Sequence, residues 1–144
     1  MPSGLYLMDQ ACQFACACQD DILIDADSIK TDTCGNQERS SWIHHYQQTG
    51  YHPFVLNEYN TGALLGAWLH PGKAFSADEA EAIMDEVFKR IPDRSANGKM
   101  RQLRFRGDAA FYSGDLMTLF EERNNPVDYC LRAKGTGKLE GACK

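Results

Sequence analysis

Long apolar runs, an excess of basic residues and paired metal-binding cysteines are all missing from this 144-residue chain. No stretch approaches the roughly 20 apolar residues of a membrane-spanning helix. Asp9 and Gln10 interrupt the apolar N-terminus, which therefore does not resemble a secretion signal, and we expect a cytoplasmic protein. The net charge of −5 disfavours a dedicated nucleic-acid-binding protein, although local basic patches can override the total.

The six cysteines lack the spacing of a zinc site, because there is no C-x-x-C pair and no Cys/His pair downstream. Three of them, Cys12, Cys16 and Cys18, crowd into one short stretch. We interpret them as small buried side chains of a helix rather than as a metal or redox cluster. The adjacent His44 and His45 are interpreted as ordinary polar residues, since neighbouring side chains on a regular element point in different directions.

A buried strand is predicted at residues 22–29, and it carries two carboxylates. Side chains alternate between the faces of a strand, so Asp25 and Asp27 point the same way, about 7 Å apart. A carboxylate at the end of a core strand is costly unless it is hydrated, paired or bound to a cation. Two carboxylates on one face suggest a site for a hard, oxygen-seeking metal such as magnesium.

The rest of the chain predicts further strands and two helices. Residues 54–59 and 63–69 form a hairpin at Asn60-Thr61-Gly62, so that the first three strands make a meander. Ser76 and Glu79 form a capping box for a helix over 77–91. Its apolar face repeats at helical spacing: Ala80, Ile83, Met84, Val87, Phe88 and Ile91. A strand over 102–108, a helix over 114–124 capped by Ser113, and a strand over 127–133 follow.

The order β-β-β-α-β-α-β predicts an α/β protein with a mixed sheet and helices packed on it. Ligand sites in such sheets lie at strand ends. Asp27 and Asp108 lie near the C-terminal ends of their strands, and they meet if those strands are parallel neighbours. Converging carboxylates of this kind suit metal-dependent phosphoryl transfer, and a purely structural role is the alternative.

Six short motifs carry a resemblance to a known family through their order and spacing. They are Ile24-Asp25-Ala26-Asp27-Ser28, Gly35-Asn36-Gln37-Glu38, Gly50-Tyr51-His52-Pro53, Thr61-Gly62, Leu69-His70-Pro71-Gly72-Lys73-Ala74 and Arg106-Gly107-Asp108-Ala109-Ala110-Phe111. Together they resemble the catalytic domain of the Asp-Asp-Glu (DDE) transposases of bacterial insertion sequences. That family has a ribonuclease H-like fold, and the resemblance covers roughly residues 21–134.

The resemblance implies that Asp27 is the first catalytic aspartate and Asp108 the second. Asp25 is then a fallback for the first or a supporting metal ligand. The implied cofactor is Mg²⁺ or Mn²⁺, and the implied partners are the DNA ends of the insertion sequence and the target DNA. The implied activity is hydrolysis of a DNA phosphodiester at the element's end, after which the freed 3′-hydroxyl attacks the target.

A strip of basic residues runs into Asp108 and is the expected contact with the DNA backbone. It consists of Lys99, Arg101, Arg104 and Arg106. The alternative is that these charges merely balance the acidic helix over 77–91.

In one respect the chain departs from the family pattern, because the helix that carries the glutamate after the fifth strand is missing. Glu140 lies in a Gly-rich tail, 135–144, which we expect to be flexible, so no third carboxylate is assigned. Residues 1–20 are interpreted as a remnant of an upstream helix or linker, and 21–134 as a partial ribonuclease H-like core. We therefore expect a truncated transposase that binds metal weakly and cleaves DNA poorly.

Two other functions stay open from the sequence. One is a non-catalytic remnant that binds DNA or a full-length transposase. The other is a haloacid-dehalogenase-like phosphatase with Asp25 as nucleophile and Asp27 as general acid. That family needs a second acidic cluster about four residues after Gly107-Asp108, where this chain has Tyr112.

Overall fold

Seven strands and three α-helices are found in the part of the chain that the computed structural model describes, residues 3–29, 31–32, 41–43, 48–71 and 80–132. In chain order they are α1 Ser3–Cys18, β1 Ile22–Ser28, β2 Thr31–Asp32, β3 Ser41–Ile43, β4 Gln48–Glu58, β5 Leu64–Pro71, α2 Ala80–Arg90, β6 Leu103–Gly107, α3 Gly114–Glu121 and β7 Val127–Leu131. A short 3₁₀ helix, Ala109–Phe111, follows β6.

The strands form one mixed sheet, which confirms the predicted fold class, and the seven predicted elements occur in the predicted order as β1, β4, β5, α2, β6, α3 and β7. β1 pairs antiparallel with β4, and β4 pairs antiparallel with β5, so the predicted meander is confirmed. β6 then pairs parallel with β1, and β7 pairs parallel with β6. The short strands β2 and β3, which the sequence did not predict, pair with the N-terminal half of β4.

One face of the sheet is buried under the three helices. Ile22, Ile24 and Ala26 of β1 point into this core, and all six residues of the predicted apolar face of α2 are buried there. Since side chains alternate along a strand, the odd-numbered residues of β1 and the even-numbered residues of β6 point to the other side. We call that side the open face; it carries Asp25, Asp27, Arg104, Arg106 and Asp108.

The first helix belongs to this core. Met8, Cys12 and Ala15 of α1 are buried, and Asp9 forms a salt bridge of 2.6 Å with Arg90 at the end of α2. Burial raises the pKa of the Cys12 thiol to about 12, which makes it a poor nucleophile. The interpretation of the cysteines as buried holds for Cys12 and is wrong for Cys18, which is exposed at the end of α1, while Cys16 is half-buried.

Arg101 fastens the end of α1 to the start of β6. Its guanidinium donates hydrogen bonds to the carbonyl oxygens of Cys16, Gln19 and Asp20, and the residue is only 4% exposed. The last carbonyl groups of a helix have no partner within the helix, so hydrogen bonds from the two Nη atoms of a buried arginine satisfy them, while Nε of Arg101 has no hydrogen-bond partner among the described residues. The positive charge of Arg101 therefore acts inside the protein and not at its surface.

Some local predictions differ from the structure or lie outside it. Ser113 stands at the start of α3, but its side chain makes no capping hydrogen bond, so that cap prediction is wrong. The capping box of Ser76 and Glu79, the pair His44 and His45, and the tail over 135–144 lie outside the described residues. Among the residues described, no helix is long and apolar enough to cross a membrane.

Gly66 in β5 lies directly beneath the indole ring of Trp68. A Cβ atom at this position would come within 2.1 Å of that ring, and the ring packs against Phe54 with centroids 5.5 Å apart. We expect Gly66→Ala to displace Trp68 and to lower the free energy of unfolding by about 1–3 kcal/mol. Chemical denaturation checks this, with Gly114→Ala as the control because a Cβ there meets nothing within 4 Å. Equal stability of the two variants would contradict the prediction.

Candidate active site

β1 presents its two carboxylates on the open face, as the alternation of the strand predicts. Ile24 and Ala26 are buried on the core side, whereas Asp25 is half-buried and Asp27 is exposed on the other side. In the neighbouring antiparallel strand, Asp27 is opposite Val55. The carboxylates thus lie at the C-terminal end of a central strand, with strands hydrogen-bonded on both sides.

The parallel pairing of β1 with β6 brings the third aspartate beside them. The register aligns Asp25 with Arg106 and Ala26 with Gly107, so the next position along each chain is Asp27 on one and Asp108 on the other. Neighbouring strands are about 4.8 Å apart, and both side chains point to the open face. The sequence predicted that Asp27 and Asp108 meet if their strands are parallel neighbours, and the backbone meets this condition.

Asp108 is held by the turn that follows it. Its Oδ1 accepts a hydrogen bond of 2.8 Å from the backbone N–H of Ala110, which caps the 3₁₀ helix. Phe111 ends that helix and is buried between Phe54 and Phe105, at centroid distances of 5.1 and 6.3 Å. The chain can close in this way because Gly107 has no side chain, and a Cβ there would lie 3.1 Å from both Phe105 and Phe111.

Asp25 is bound by an arginine of the neighbouring strand β6. Arg106 donates from Nε to Oδ1 of Asp25 at 2.9 Å and from Nη2 to Oδ2 at 2.6 Å. These hydrogen bonds to Asp25 raise the pKa of Arg106. The guanidinium also lies over the ring of Tyr59, 4.8 Å from its centroid. Both oxygens of Asp25 are thus occupied by one cation.

The four predicted DNA-contacting residues are distributed over different parts of the molecule. Arg104 and Arg106 are exposed on the open face, and Arg104 donates a hydrogen bond to Gln102. Lys99 is exposed in the turn before β6, at the opposite end of the strands from Asp108. Arg101 is buried against α1, so it does not contribute to a surface strip.

Glu58 is the charged residue that sequence reasoning missed. It is completely buried at the end of β4 and accepts five hydrogen bonds: two from Thr61, two from Asn60 and one from the backbone of Leu23 in β1. Burial alone would raise its pKa, but these hydrogen bonds outweigh burial and hold the pKa below the ordinary 4.5. An acidic residue directly before Tyr59-Asn60-Thr61-Gly62, a turn rich in donors, was the available signal.

No group of three or more Cys, His, Asp or Glu side chains in the described ranges is arranged to hold a metal ion. Within the described residues, the candidate site therefore consists of two carboxylates, Asp27 and Asp108. Glu140 lies outside them.

A family model described as transposase DDE domain group 1 matches residues 4–144. Among solved structures, the chain is similar to a piggyBac transposase synaptic complex with hairpin DNA, at 12% identity and a TM-score of 0.57. That match covers 84% of this chain and 25% of the other. The likeness concerns the fold, and it confirms the predicted ribonuclease H-like architecture.

Two further structures are more distant. One is a Mos1 mariner paired end complex with Mn, at 9% identity and a TM-score of 0.48, which covers 99% of this chain and 54% of the other. The second is a Drosophila P element transposase strand transfer complex, at 7% identity and a TM-score of 0.43. That match covers 91% of this chain and 30% of the other. This chain thus spans between 25% and 54% of these proteins. No curated protein sequence matches it significantly.

Glu58→Gln should destabilise the hairpin strongly. Both carboxylate oxygens accept hydrogen bonds, so the amide of Gln would direct N–H groups at other donors and cost about 3 kcal/mol. Because the folded-state pKa is lowered, the carboxylate's contribution is present above the unfolded value of 4.5 and is lost as pH falls through the folded pKa. Urea denaturation of wild type and variant at several pH values measures this difference.

The control is Glu121→Gln, since Glu121 is exposed and accepts one hydrogen bond from the hydroxyl group of Tyr129. We expect that change to alter the stability by less than about 0.5 kcal/mol. If the loss of unfolding free energy caused by Glu58→Gln stayed constant from pH 7 to pH 3, the role given to the buried carboxylate would be contradicted.

Proposed function

The chain belongs to the transposase DDE domain family, group 1, and we propose that it is a catalytic-domain portion of a DNA transposase in which Asp27 and Asp108 bind a divalent cation. The proposed activity is cleavage of a DNA phosphodiester at the end of the element and transfer of the freed 3′-hydroxyl to target DNA. The observation that supports it best is the shared register position of these two aspartates on parallel neighbouring strands.

The donor set fits Mg²⁺ or Mn²⁺, because both cations prefer hard oxygen ligands. Asp27 is exposed, and Asp108 uses Oδ1 for its bond to Ala110, so that in the described part of the chain no hydrogen bond is found on its Oδ2. Two carboxylates leave the other coordination positions to water and to DNA phosphate oxygens. When bound, the cation supplies electrostatic stabilisation of the charge that develops at the phosphorus.

The salt bridge of Asp25 with Arg106 argues for Asp27 as the first catalytic aspartate. A metal ion could recruit Asp25 only after displacing a bidentate guanidinium, which is among the stronger charge-assisted contacts. Asp27 is two positions further along β1, at the same level as Asp108. We therefore assign the cation to Asp27 and Asp108 and leave Asp25 outside the first coordination sphere.

The contact with DNA is proposed for the open face. Arg104 and Arg106 lead along β6 to Asp108, and a phosphate backbone that follows them reaches the two aspartates. The buried Arg101 is left out of this contact. With two carboxylates and no third acidic ligand beside them in the described ranges, the chain by itself is proposed to bind the cation weakly and to cleave slowly.

The phosphatase alternative loses its support. It requires Asp25 as a nucleophile, and Arg106 occupies both oxygens of that side chain. A non-catalytic protein that binds DNA or a full-length transposase is the second candidate, and it is favoured because no third acidic side chain among the described residues is arranged to hold a metal ion together with Asp27 and Asp108. DNA binding that persists when both aspartates are replaced would support that candidate.

Cation binding is the first test. Titration calorimetry with Mn²⁺ should give weak binding to the wild-type chain and binding at least tenfold weaker for Asp27→Asn/Asp108→Asn. The double variant keeps the side-chain shapes, and the amide oxygen that Asp108→Asn introduces can still cap the 3₁₀ helix.

The matched control is Asp128→Asn, because Asp128 lies on the neighbouring strand β7 and accepts a hydrogen bond from Gln102 on the exposed surface. Its binding heats should equal those of wild type. Loss of Mn²⁺ binding in the control alone, or equal heats for wild type and the double variant, would refute the assignment of the site.

Cleavage is the second test. We expect the purified chain with Mg²⁺ or Mn²⁺ to nick supercoiled plasmid no faster than the double variant, because two carboxylates hold the cation too loosely. Gel electrophoresis after timed incubation measures this. Rapid nicking by wild type alone would contradict the proposed weakness, while it would strengthen the assignment of Asp27 and Asp108.

A further inference from the structure

A cluster of three side chains, Asp25, Arg106 and Tyr59, lies on the open face beside the proposed cation site. Asp25 binds one edge of the Arg106 guanidinium through two hydrogen bonds, at 2.9 and 2.6 Å. Tyr59 covers the guanidinium with its ring, 4.8 Å away. The plane of the guanidinium is therefore fixed from one edge and from one face.

The cluster stays accessible although it is ordered. The side chain of Arg106 is 48% exposed, and Tyr59 is 56% exposed, a high value for an aromatic ring. Exposed ion pairs contribute little to stability, and fixing a long arginine side chain costs conformational entropy. A contribution to folding stability therefore does not explain why this guanidinium is held in one orientation at the surface.

We propose that Arg106 and Tyr59 form a stacking platform for an unpaired base of DNA bound at the cation site, with Asp25 as the positioning residue. The inference rests on the proposed function. Unpaired bases stack on aromatic rings and on guanidinium planes, and such stacking accepts any base. Asp25 uses the Nε and Nη2 edge of Arg106, so the guanidinium offers the DNA its face as well as its remaining edge.

The position of the platform suits a nucleotide close to the carboxylates. Arg106 is two residues before Asp108, about 7 Å along the strand. Tyr59 lies further out, since its backbone N–H donates to the carbonyl oxygen of Leu23, four residues before Asp27. A strand whose phosphate reaches Asp27 and Asp108 therefore has a neighbouring base within reach of the guanidinium, provided that the base is not paired.

The test compares two labelled DNAs, a blunt duplex and the same duplex with a three-nucleotide single-stranded overhang. Fluorescence anisotropy is measured in EDTA with the full chain carrying Asp27→Asn/Asp108→Asn, which removes both cation binding and carboxylate repulsion. We expect the overhang DNA to bind about tenfold more tightly than the blunt duplex. Arg106→Lys, which keeps the charge and loses the plane, and Tyr59→Leu should each bring the two affinities to within about twofold.

Two conservative changes serve as matched controls. Tyr59→Phe keeps the ring, and Arg94→Lys alters an exposed arginine in the turn before β6, away from the open face, so both should preserve the tenfold preference. Circular dichroism and thermal unfolding establish that every variant is folded. A preference that survives Arg106→Lys or Tyr59→Leu, or one that falls equally in Arg94→Lys, would overturn the proposal. Equal affinities of the Asp27→Asn/Asp108→Asn chain, the reference protein, for the two DNAs would overturn it too.

Asp25→Asn separates positioning from metal binding. When Asp25→Asn is added to the Asp27→Asn/Asp108→Asn chain, it should reduce the preference for the overhang DNA. When Asp25→Asn is the only change in the chain, Mn²⁺ binding should equal that of wild type. If Asp25→Asn reduced Mn²⁺ binding and left the tenfold preference for the overhang DNA intact, the positioning role of Asp25 would be overturned. If calorimetry shows no cation site but the preference is present and depends on Arg106, the platform stands and only the cation assignment fails.

Discussion

The parallel hydrogen-bonded pairing of β1 with β6 is the constraint on which the candidate site depends. It brings together two aspartates that are far apart in the chain, and it does so at the same level of the sheet and on the same face. A slip of one residue would turn Asp108 and Arg106 into the core, where their charges could not be satisfied. The burial of Leu103 and Phe105 on the opposite face therefore sets the position of the carboxylate as firmly as any direct contact.

Two buried charged side chains hold the start of β1 in that arrangement. Arg101 binds the carbonyl oxygens of Gln19 and Asp20 just before the strand, and Glu58 accepts the backbone N–H of Leu23 at its second residue. Each charge is satisfied mainly by backbone groups that would otherwise lack partners. Removing Arg101 would leave carbonyl oxygens unpaired, and removing Glu58 would leave N–H and O–H donors unpaired, which costs more than a lost surface contact.

The open face shows how neighbouring positions on one strand can acquire different chemistry. Asp25 and Asp27 share a strand, a face and a residue type, and only their cross-strand neighbours differ. Arg106 is opposite Asp25 and binds it, whereas the position level with Asp27 is taken by another aspartate. The register of the sheet thus pairs Asp25 with Arg106 and brings Asp27 level with a second aspartate, an arrangement that favours cation binding.

Much of this molecule follows from local patterns in the sequence. The apolar face of α2, the alternation of β1 and the hairpin after Tyr59 depend on residues within a few positions of one another, so the element order and the shared face of Asp25 and Asp27 could be derived. The burial of Arg101, the five hydrogen bonds of Glu58 and the pairing of Arg106 with Asp25 could not. Four of the Glu58 hydrogen bonds are local, but its complete burial and its bond to Leu23 depend on β1. The contacts of Arg101 and Arg106 join residues that strand register and helix packing bring together, and the local sequence does not encode which distant partner each charge will meet. The sequence alone determined which carboxylates lie at strand ends, and only the tertiary structure decided that Arg106 binds Asp25 and that Asp27 comes level with Asp108, because both depend on the neighbouring strand.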